Sequence, residues 1–149
     1  MIDHFDKFVK GIMNDGKLES SLIKVNTAID ILTNKLSCTK EDIFEAMVKN
    51  CYCNFKMIPT RRGRYIYKIP KEINEIQSHK LLIKEITKSI KFIPNKKTGE
   101  LTTKRTGSSL INRIVSEIEL IFKKPSDSIT VKRINDKKKL AYENRAFVR

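Results

Sequence analysis

The sequence predicts a mostly α-helical fold, a bundle of about six helices from which a two-stranded β-hairpin arm protrudes. Through most of the 149 residues, apolar side chains recur at steps of three and four, the period of a helix with one buried face. Residues 54–70 break that period, because apolar side chains alternate there in the two-residue period of a strand. The length and the 40 % hydrophobic content predict a single domain, residues 1–149, with a core of its own.

The predicted arm occupies residues 54–70. Pro59 and Pro70 are expected to end its two strands, because proline cannot donate a hydrogen bond to the ladder. Residues 60–64 are the predicted connection, in which Gly63 supplies the positive φ that a tight turn often needs. The alternating apolar side chains of the two strands are Phe55, Met57, Tyr65, Tyr67 and Ile69.

Three arginines, Arg61, Arg62 and Arg64, fall within four positions at the predicted tip. Guanidinium groups that repel one another do not build a core, but their planar forks match phosphate oxygens. The tip is therefore predicted to bind a polyanion; the alternative is a solvated turn without a partner. Tyr65 and Tyr67 suit two roles equally, stacking on bases or packing on the inner face of the arm.

The positive charge is unevenly distributed. The chain carries a net charge of +14, which indicates a polyanionic partner. Residues 1–50 contain 7 Lys and Arg against 8 Asp and Glu, whereas residues 51–149 contain 24 against 9. The first third is therefore predicted to be an ordinary packing unit, and the basic surface belongs to the arm and the residues after it.

Apolar stripes and capping residues place the helices. Helices are predicted at residues 3–14, at 17–35, from the capping box Thr39–Asp42 onward, at 78–93, at 110–123 and at 132–147. Ser78 is the expected cap of the fourth helix, and Ser108 or Ser109 that of the fifth. The stripe residues predicted to form the core are Phe5, Phe8, Val9, Ile12, Met13, Leu22, Val25, Ile29, Leu32, Leu36, Ile43, Phe44, Met47, Val48, Cys51, Leu82, Ile83, Ile86, Ile90, Leu110, Ile111, Ile114, Val115, Ile118, Ile121 and Phe122.

Two connecting segments carry further expectations. Residues 94–107 are polar and basic and are predicted to be a long loop, a type of segment that is usually functional or mobile. Residues 128–133 are predicted to be a short extended lead into the last helix.

In the fourth helix, four lysines recur on an outward side, which is as consistent with a solvated face as with one that follows a phosphate backbone: Lys80, Lys84, Lys88 and Lys91.

The chain lacks the residue patterns of enzymes, metal sites and membrane spans. Cys38, Cys51 and Cys53 have neither a disulfide framework nor zinc spacing, and with only His4 and His79 present no metal site is expected. No glycine-rich phosphate loop, Ser–His–Asp set or paired carboxylates can be identified, so no catalysis and no cofactor are predicted. No run of 18 apolar residues exists, so no membrane contact is predicted.

Binding to RNA is the function that the residues favour most. The main alternative is an architectural DNA-binding protein, since a helical body with a basic β-arm is also found among minor-groove benders. Such arms usually carry an apolar wedge at the tip, whereas this tip is rich in arginine. A nuclease is the third hypothesis, but it would need clustered carboxylates or a histidine base, and the acidic residues here are scattered.

Several segments resemble bacterial- and organelle-type small-subunit ribosomal protein seven. Residues 8–17 (Phe-Val-Lys-Gly-Ile-Met-Asn-Asp-Gly-Lys) are similar to the first helix and turn of that family. Residues 61–63 (Arg-Arg-Gly) and 67–70 (Tyr-Lys-Ile-Pro) are similar to its hairpin. Residues 131–133 (Val-Lys-Arg) and 141–147 (Ala-Tyr-Glu-Asn-Arg-Ala-Phe) are similar to its last helix. The hairpin turn is one residue shorter than the family pattern, and the family's basic N-terminal arm is not expected.

The resemblance implies a structural protein in the head of the small ribosomal subunit, which binds and helps to fold the 3′ major domain of the small-subunit rRNA. It places the arm near the exit (E) site and the mRNA exit path, where mRNA and E-site tRNA are further partners. Ribosomal proteins nine, eleven and thirteen, or their organelle counterparts, are the expected neighbours. The expected RNA contacts are Arg61, Arg62, Arg64, Lys68, Lys132, Arg133, Lys137 and Arg145.

Composition also carries a prediction about location. The 23 Lys, 21 Ile and 10 Asn are residues with AT-rich codons, which is typical of organelle genomes and of low-GC bacteria. The expectation is a mitochondrial ribosome in the matrix, with a plastid ribosome or the bacterial cytoplasm as alternatives.

Overall fold

The computed structural model describes residues 4–94, 101–104 and 109–148. In these residues six α-helices form a body and a long β-hairpin projects as an arm, which confirms the predicted fold class. The elements are α1 (His4–Ile12), α2 (Leu18–Leu36), α3 (Lys40–Cys51), β1 (Phe55–Arg62), β2 (Tyr65–Glu72), α4 (Glu75–Lys91), β3 (Phe92–Pro94), β4 (Leu101–Lys104), α5 (Leu110–Lys123) and α6 (Ile129–Glu143). Short 3₁₀ helices span Pro125–Asp127 and Asn144–Phe147.

The apolar stripes of the helices meet in one core. Helix α5 contacts α2, α3, α4 and α6, and α1 packs against α2 and α4. All but one of the stripe residues named above are buried or partly buried, and the partly buried ones are Phe5, Met13, Leu36, Phe44, Val48, Leu110, Ile111, Val115 and Phe122. The exception is Leu22, which is 38 % exposed, whereas Ala28 is fully buried. The buried face of α2 follows Val25, Ala28 and Ile29, and Leu22 lies outside it.

Local capping signals set two helix starts. The Thr39 hydroxyl accepts from the backbone N–H of Asp42, and the Asp42 carboxylate accepts from that of Thr39, so the predicted capping box is present. The Ser109 side chain caps α5 by accepting from the Asn112 N–H. The predicted cap of α4 is wrong: α4 begins one turn earlier, after Asn74, and Ser78 is buried within the helix.

The arm is longer than predicted, because neither Pro59 nor Pro70 ends its strand. The two strands pair from Phe55 opposite Glu72 to Arg62 opposite Tyr65, so only Gly63 and Arg64 form the turn. Gly63 has the positive φ that was expected, 63°. In a two-stranded ribbon, each strand has one edge that pairs with its partner and one edge that is free. A proline at a position where the backbone N–H would point to the free edge costs no hydrogen bond between the strands, so the strand can continue through it.

The polar stretch at residues 94–107 is not wholly a loop. Leu101–Lys104 forms β4, which pairs antiparallel with β3, with Phe92 opposite Lys104 and an irregularity between Ile93 and Pro94. The polar composition of this stretch predicted a loop, because it gives no sign that β4 would pair with β3. The predicted loop at residues 95–100 and 105–107 lies outside the described residues, as does Ser108.

The predicted extended lead at residues 128–133 is wrong, because α6 already begins at Ile129. The buried carboxylate of Glu117, on α5, accepts from the Ser128 hydroxyl at 2.7 Å, the Thr130 hydroxyl at 2.8 Å and the Thr130 N–H at 3.1 Å. Ser128 also caps the helix by accepting from the Val131 N–H. A carboxylate near the N-terminus of a helix stabilises the helix. The contact with Glu117 therefore outweighs the strand preference of the β-branched residues Ile129, Thr130 and Val131.

The close approach of α1 and α4 at Gly11 can be tested by adding one methyl group. A Cβ at Gly11 would lie 2.8 Å from Thr87 Cγ2, and Thr87 is buried with its hydroxyl bonded to the Lys84 carbonyl. We expect Gly11→Ala to lower the free energy of unfolding by about 1–2 kcal/mol in urea titrations, because overpacking outweighs the gain in helix propensity. Adding Thr87→Ser should recover most of the loss; a Gly11→Ala variant as stable as wild type would contradict this packing.

Candidate nucleic-acid interface

The tip of the arm presents two of its three arginines to solvent. Arg61 and Arg64 are exposed, and the Arg61 Nε donates to the Gly63 carbonyl at 3.2 Å, so its side chain folds over the turn. Arg62 is partly buried, and its guanidinium donates to the Phe147 carbonyl near the C-terminus. The tip therefore offers Arg61 and Arg64 to an anion, while Arg62 makes a contact within the protein.

The two tyrosines of the arm have different surroundings. Tyr67 stacks on the Phe147 ring, with the centroids 4.4 Å apart and the planes 20° from parallel. Tyr65 and its neighbour Ile66 are 68 % and 69 % exposed. Of the two roles left open for these tyrosines, Tyr67 takes the packing role, and Tyr65 is the one whose ring is accessible to a base.

Two of the cations expected on the last helix are engaged by a buried carboxylate. Glu85 of α4, whose side chain is 8 % exposed, accepts from Arg133 at 2.7 Å and from Lys137 at 2.6 Å. Burial alone would raise the pKa of Glu85, but the hydrogen bond from Lys137 and the charges of Lys137, Arg133 and Lys88 outweigh it and hold the pKa below its usual value. The cluster of one anion and two cations joins α4 to α6 and keeps one net positive charge.

The other expected contacts lie on the arm and at the two ends of α6. Lys132 is exposed near the start of α6. Arg145 follows α6 and is exposed, with its guanidinium 4.0 Å from the Tyr142 ring centroid. The exposed side chain of Lys68 lines a cavity of about 250 Å³ between the arm and the body. The structure thus distributes the expected contacts over the arm tip, the second strand of the arm, α6 and the residue Arg145 that follows it, rather than collecting them in one pocket.

A groove between α1 and α4 is a further basic site, of about 490 Å³. Its lining includes Gly11, Thr87 and five lysines: Lys7, Lys80, Lys84, Lys88 and Lys91. The lysine spacing on α4 pointed to this face, but Lys7 was missed, because only tertiary packing brings α1 beside α4.

The electrostatics of this groove favour an anion. Partial burial lowers the pKa of Lys88, and the neighbouring charges of Lys84, Arg133 and Lys137 lower it further, against the opposing effect of Glu85. Glu85 is shared by Arg133 and Lys137, so cations still outnumber anions here, and a phosphate oxygen placed in the groove would add negative charge beside them. The groove is therefore suited to a phosphate backbone.

Groups that would serve chemistry are few in the described part of the chain. His4 Nε2 and His79 Nδ1 share a 2.7 Å hydrogen bond, and Tyr52 lies beside His79. Burial and the charge of Glu117 raise the pKa of the Cys51 thiol to about 12, so it is not a thiolate nucleophile. Among residues 4–94, 101–104 and 109–148, no three His, Cys, Asp or Glu side chains converge on a possible metal position.

No helix within the described ranges has the length and apolar character needed to cross a membrane.

A helical body with a lysine-lined groove and an arginine-tipped arm is typical of a basic protein that binds a polyanion. The chain belongs to the family described as ribosomal protein S7p/S5e, whose model matches residues 3–145. This confirms the family resemblance seen in the first helix, the hairpin and the last helix. The protein is thus a structural constituent of the small ribosomal subunit and not an enzyme.

Three bacterial relatives illustrate the similarity. The chain is 27 % identical over 141 residues to the small ribosomal subunit protein uS7 of Chloroflexus aggregans, covering 95 % of this chain and 81 % of the relative. The uS7 proteins of a Roseiflexus species and of Dehalococcoides mccartyi are each 26 % identical over 141 residues, with the same coverage. The similarity therefore extends over nearly the whole chain.

The role of Glu85 in joining α4 to α6 can be tested by replacing it with glutamine. We expect Glu85→Gln to lower the free energy of unfolding at neutral pH by about 1–3 kcal/mol, because Arg133 and Lys137 lose a charged acceptor. The pKa of Glu85 is lower in the folded protein than in the unfolded chain, so its stabilising effect is present above pH 4.5 and is lost as the pH falls through the folded value. In urea titrations at several pH values, the free energies of unfolding of wild type and Glu85→Gln should become equal at acidic pH.

Glu119→Gln is the matched control for this experiment. Glu119 also contacts two cations, Lys35 and Lys123, but both pairs lie at the surface, where ion pairs contribute little. A Glu85→Gln variant no less stable than Glu119→Gln at neutral pH would show that the α4–α6 cluster does not stabilise the fold.

Proposed function

We propose that this single-domain protein binds the 3′ major domain of the small-subunit rRNA in the head of the subunit and helps to fold it. The observation that carries the proposal is the exposure of Arg61 and Arg64 at the tip of a projecting arm, beside a body whose α1–α4 groove is lined by five lysines. The arm reaches one segment of RNA while the body contacts another. Family membership supports this function over binding to DNA.

Recognition of the RNA would rest on shape and backbone. An A-form helix hides its base edges in a deep, narrow groove, so contacts to phosphates and sugars dominate. Each phosphate neutralised by a lysine or arginine releases counterions, which makes the affinity depend steeply on salt. Lys68, Lys132 and Arg145 extend the proposed contact surface beyond the tip and the groove, and Arg133 and Lys137 contribute the net positive charge of the Glu85 cluster.

The finer partners are part of the same proposal. The arm lies near the E site and the mRNA exit path, where the exposed Tyr65 and Ile66 are available to mRNA or to E-site tRNA. Ribosomal proteins nine, eleven and thirteen, or their organelle counterparts, are the proposed neighbours. A mitochondrial ribosome stays a prediction from composition; the relatives described above are bacterial, which fits the alternative of a bacterial ribosome.

Salt-dependent binding tests the proposal. We expect wild type to prefer a structured fragment of the rRNA 3′ major domain over duplex DNA of equal length at physiological salt. Arg61→Ala/Arg64→Ala should weaken binding to the RNA by about 5- to 30-fold, since each exposed charge contact is worth roughly 0.5–1 kcal/mol. The slope of log Kd against log salt should become shallower by about 1–2. Arg62 is left intact because it contacts Phe147.

Lys24→Ala/Lys49→Ala is the matched control, since it removes the same charge from exposed positions in the near-neutral first third. This variant should bind the RNA fragment nearly as wild type does. Equal losses in the two double variants would show that net charge, not the arm tip, determines the affinity. Wild-type binding to duplex DNA as tight as to the RNA fragment would favour the architectural DNA hypothesis.

A further inference from the structure

The C-terminal 3₁₀ helix is fastened to the arm by three contacts, which together we call the C-terminal clasp. The Phe147 ring stacks on Tyr67. The Asn144 side-chain amide donates to the Lys68 carbonyl at 2.8 Å. The Arg62 guanidinium donates to the Phe147 carbonyl. A ring stack, an amide hydrogen bond and a charged hydrogen bond thus act on the same short stretch of chain.

The arm needs such support because it has no core of its own. A two-stranded ribbon is at best marginally stable in water. Many residues of β1 and β2 are exposed, including Tyr65 and Ile66 near the turn. Apart from its pairing with β1, β2 makes its most extensive contacts with the C-terminal 3₁₀ helix. The direction of the arm therefore depends on what holds it to the body.

The clasp acts close to the tip rather than at the base. Arg62 immediately precedes the two-residue turn, and Tyr67 and Lys68 pair with Thr60 and Pro59 in the distal half of the ribbon. The base is joined to the body separately, by the short links from α3 to β1 and from β2 to α4, and there the Ile73 N–H donates to the Asn54 carbonyl at 3.1 Å and extends the strand pairing by one residue pair. Attachment at two points along the hairpin, the base and the clasp, fixes the angle between the arm and the body. Attachment at the base alone would leave the arm free to swing.

We propose that the C-terminal clasp sets the direction of the β-arm, so that Arg62, Asn144 and Phe147 are positioning residues for RNA binding by the tip. This inference rests on the proposed function for its effect on affinity. An arm already held in its bound direction loses less conformational freedom on binding than a swinging one. Arg62, expected from the sequence to contact RNA, then acts by holding Arg61 and Arg64 in place.

A double-mutant cycle separates positioning from direct contact. Phe147→Ala/Asn144→Ala is expected to weaken binding to the rRNA fragment by about 5- to 30-fold, the same range as for the tip variant Arg61→Ala/Arg64→Ala. Combining the two pairs should weaken binding little beyond the tip variant alone, because the clasp acts through the tip. Fully additive losses would show that the clasp residues contribute independently of the tip and would overturn the proposal.

Two further variants control for side-chain chemistry. Phe147→Tyr keeps the ring stack and should bind as wild type does. Val148→Ala changes the exposed neighbour of the clasp and should also leave the affinity unchanged. Loss of affinity in Phe147→Tyr equal to that in the double alanine variant would contradict a role through stacking.

Hydrogen exchange tests the clasp without RNA. In Phe147→Ala/Asn144→Ala, backbone amides of β1 and β2 should exchange at least several-fold faster, while those of α2 and α5 keep their wild-type rates. Unchanged exchange in the arm would overturn the clasp. If wild type fails to bind the rRNA fragment, the proposed function fails, and the exchange result still decides whether the clasp holds the arm.

Discussion

The structure depends first on an apolar core that holds together a chain with a net charge of +14. Mutual repulsion among so many cations opposes compaction, and the buried side chains of all six helices must outweigh it. Helix α5 is central, because it contacts α2, α3, α4 and α6 and buries Ile114, Ile118 and Ile121. With the core so placed, the basic side chains are left to the surface, the arm and the grooves.

Helix α6 is joined to the body as much by buried carboxylates as by apolar contact. It buries few apolar residues, chiefly Val131, Ile134 and Ala141. Glu117 satisfies polar groups at its N-terminus, and Glu85 holds Arg133 and Lys137 along its length. These two acidic residues allow a lysine-rich helix to lie against the body, because each places a negative charge where the helix presents positive charge or unsatisfied N–H groups.

The same division of charge explains how a small protein offers several basic surfaces. The near-neutral first third supplies packing faces in α2 and α3, and the later residues supply the arm, α6 and four of the five lysines that line the α1–α4 groove. A structural protein of the small ribosomal subunit needs an extended surface for a folded polyanion rather than a pocket for a small molecule. The arm, clasped by the C-terminal 3₁₀ helix, extends that surface beyond the body.

The sequence by itself determined the elements whose signals are local: the helical stripes, the Thr39 capping box, the alternating strands and the positive φ of Gly63. Only the tertiary structure decided where α6 begins, that the strands pass through Pro59 and Pro70, and which cations face outward. Arg62, Arg133 and Lys137 read alike as RNA contacts in the sequence, yet their acceptors Phe147 and Glu85 lie 85, 48 and 52 residues away along the chain. Periodicity and charge in the sequence predict local structure and the kinds of group a side chain can bind. Which residue so far away in the sequence becomes its partner depends on how the helices and strands pack together.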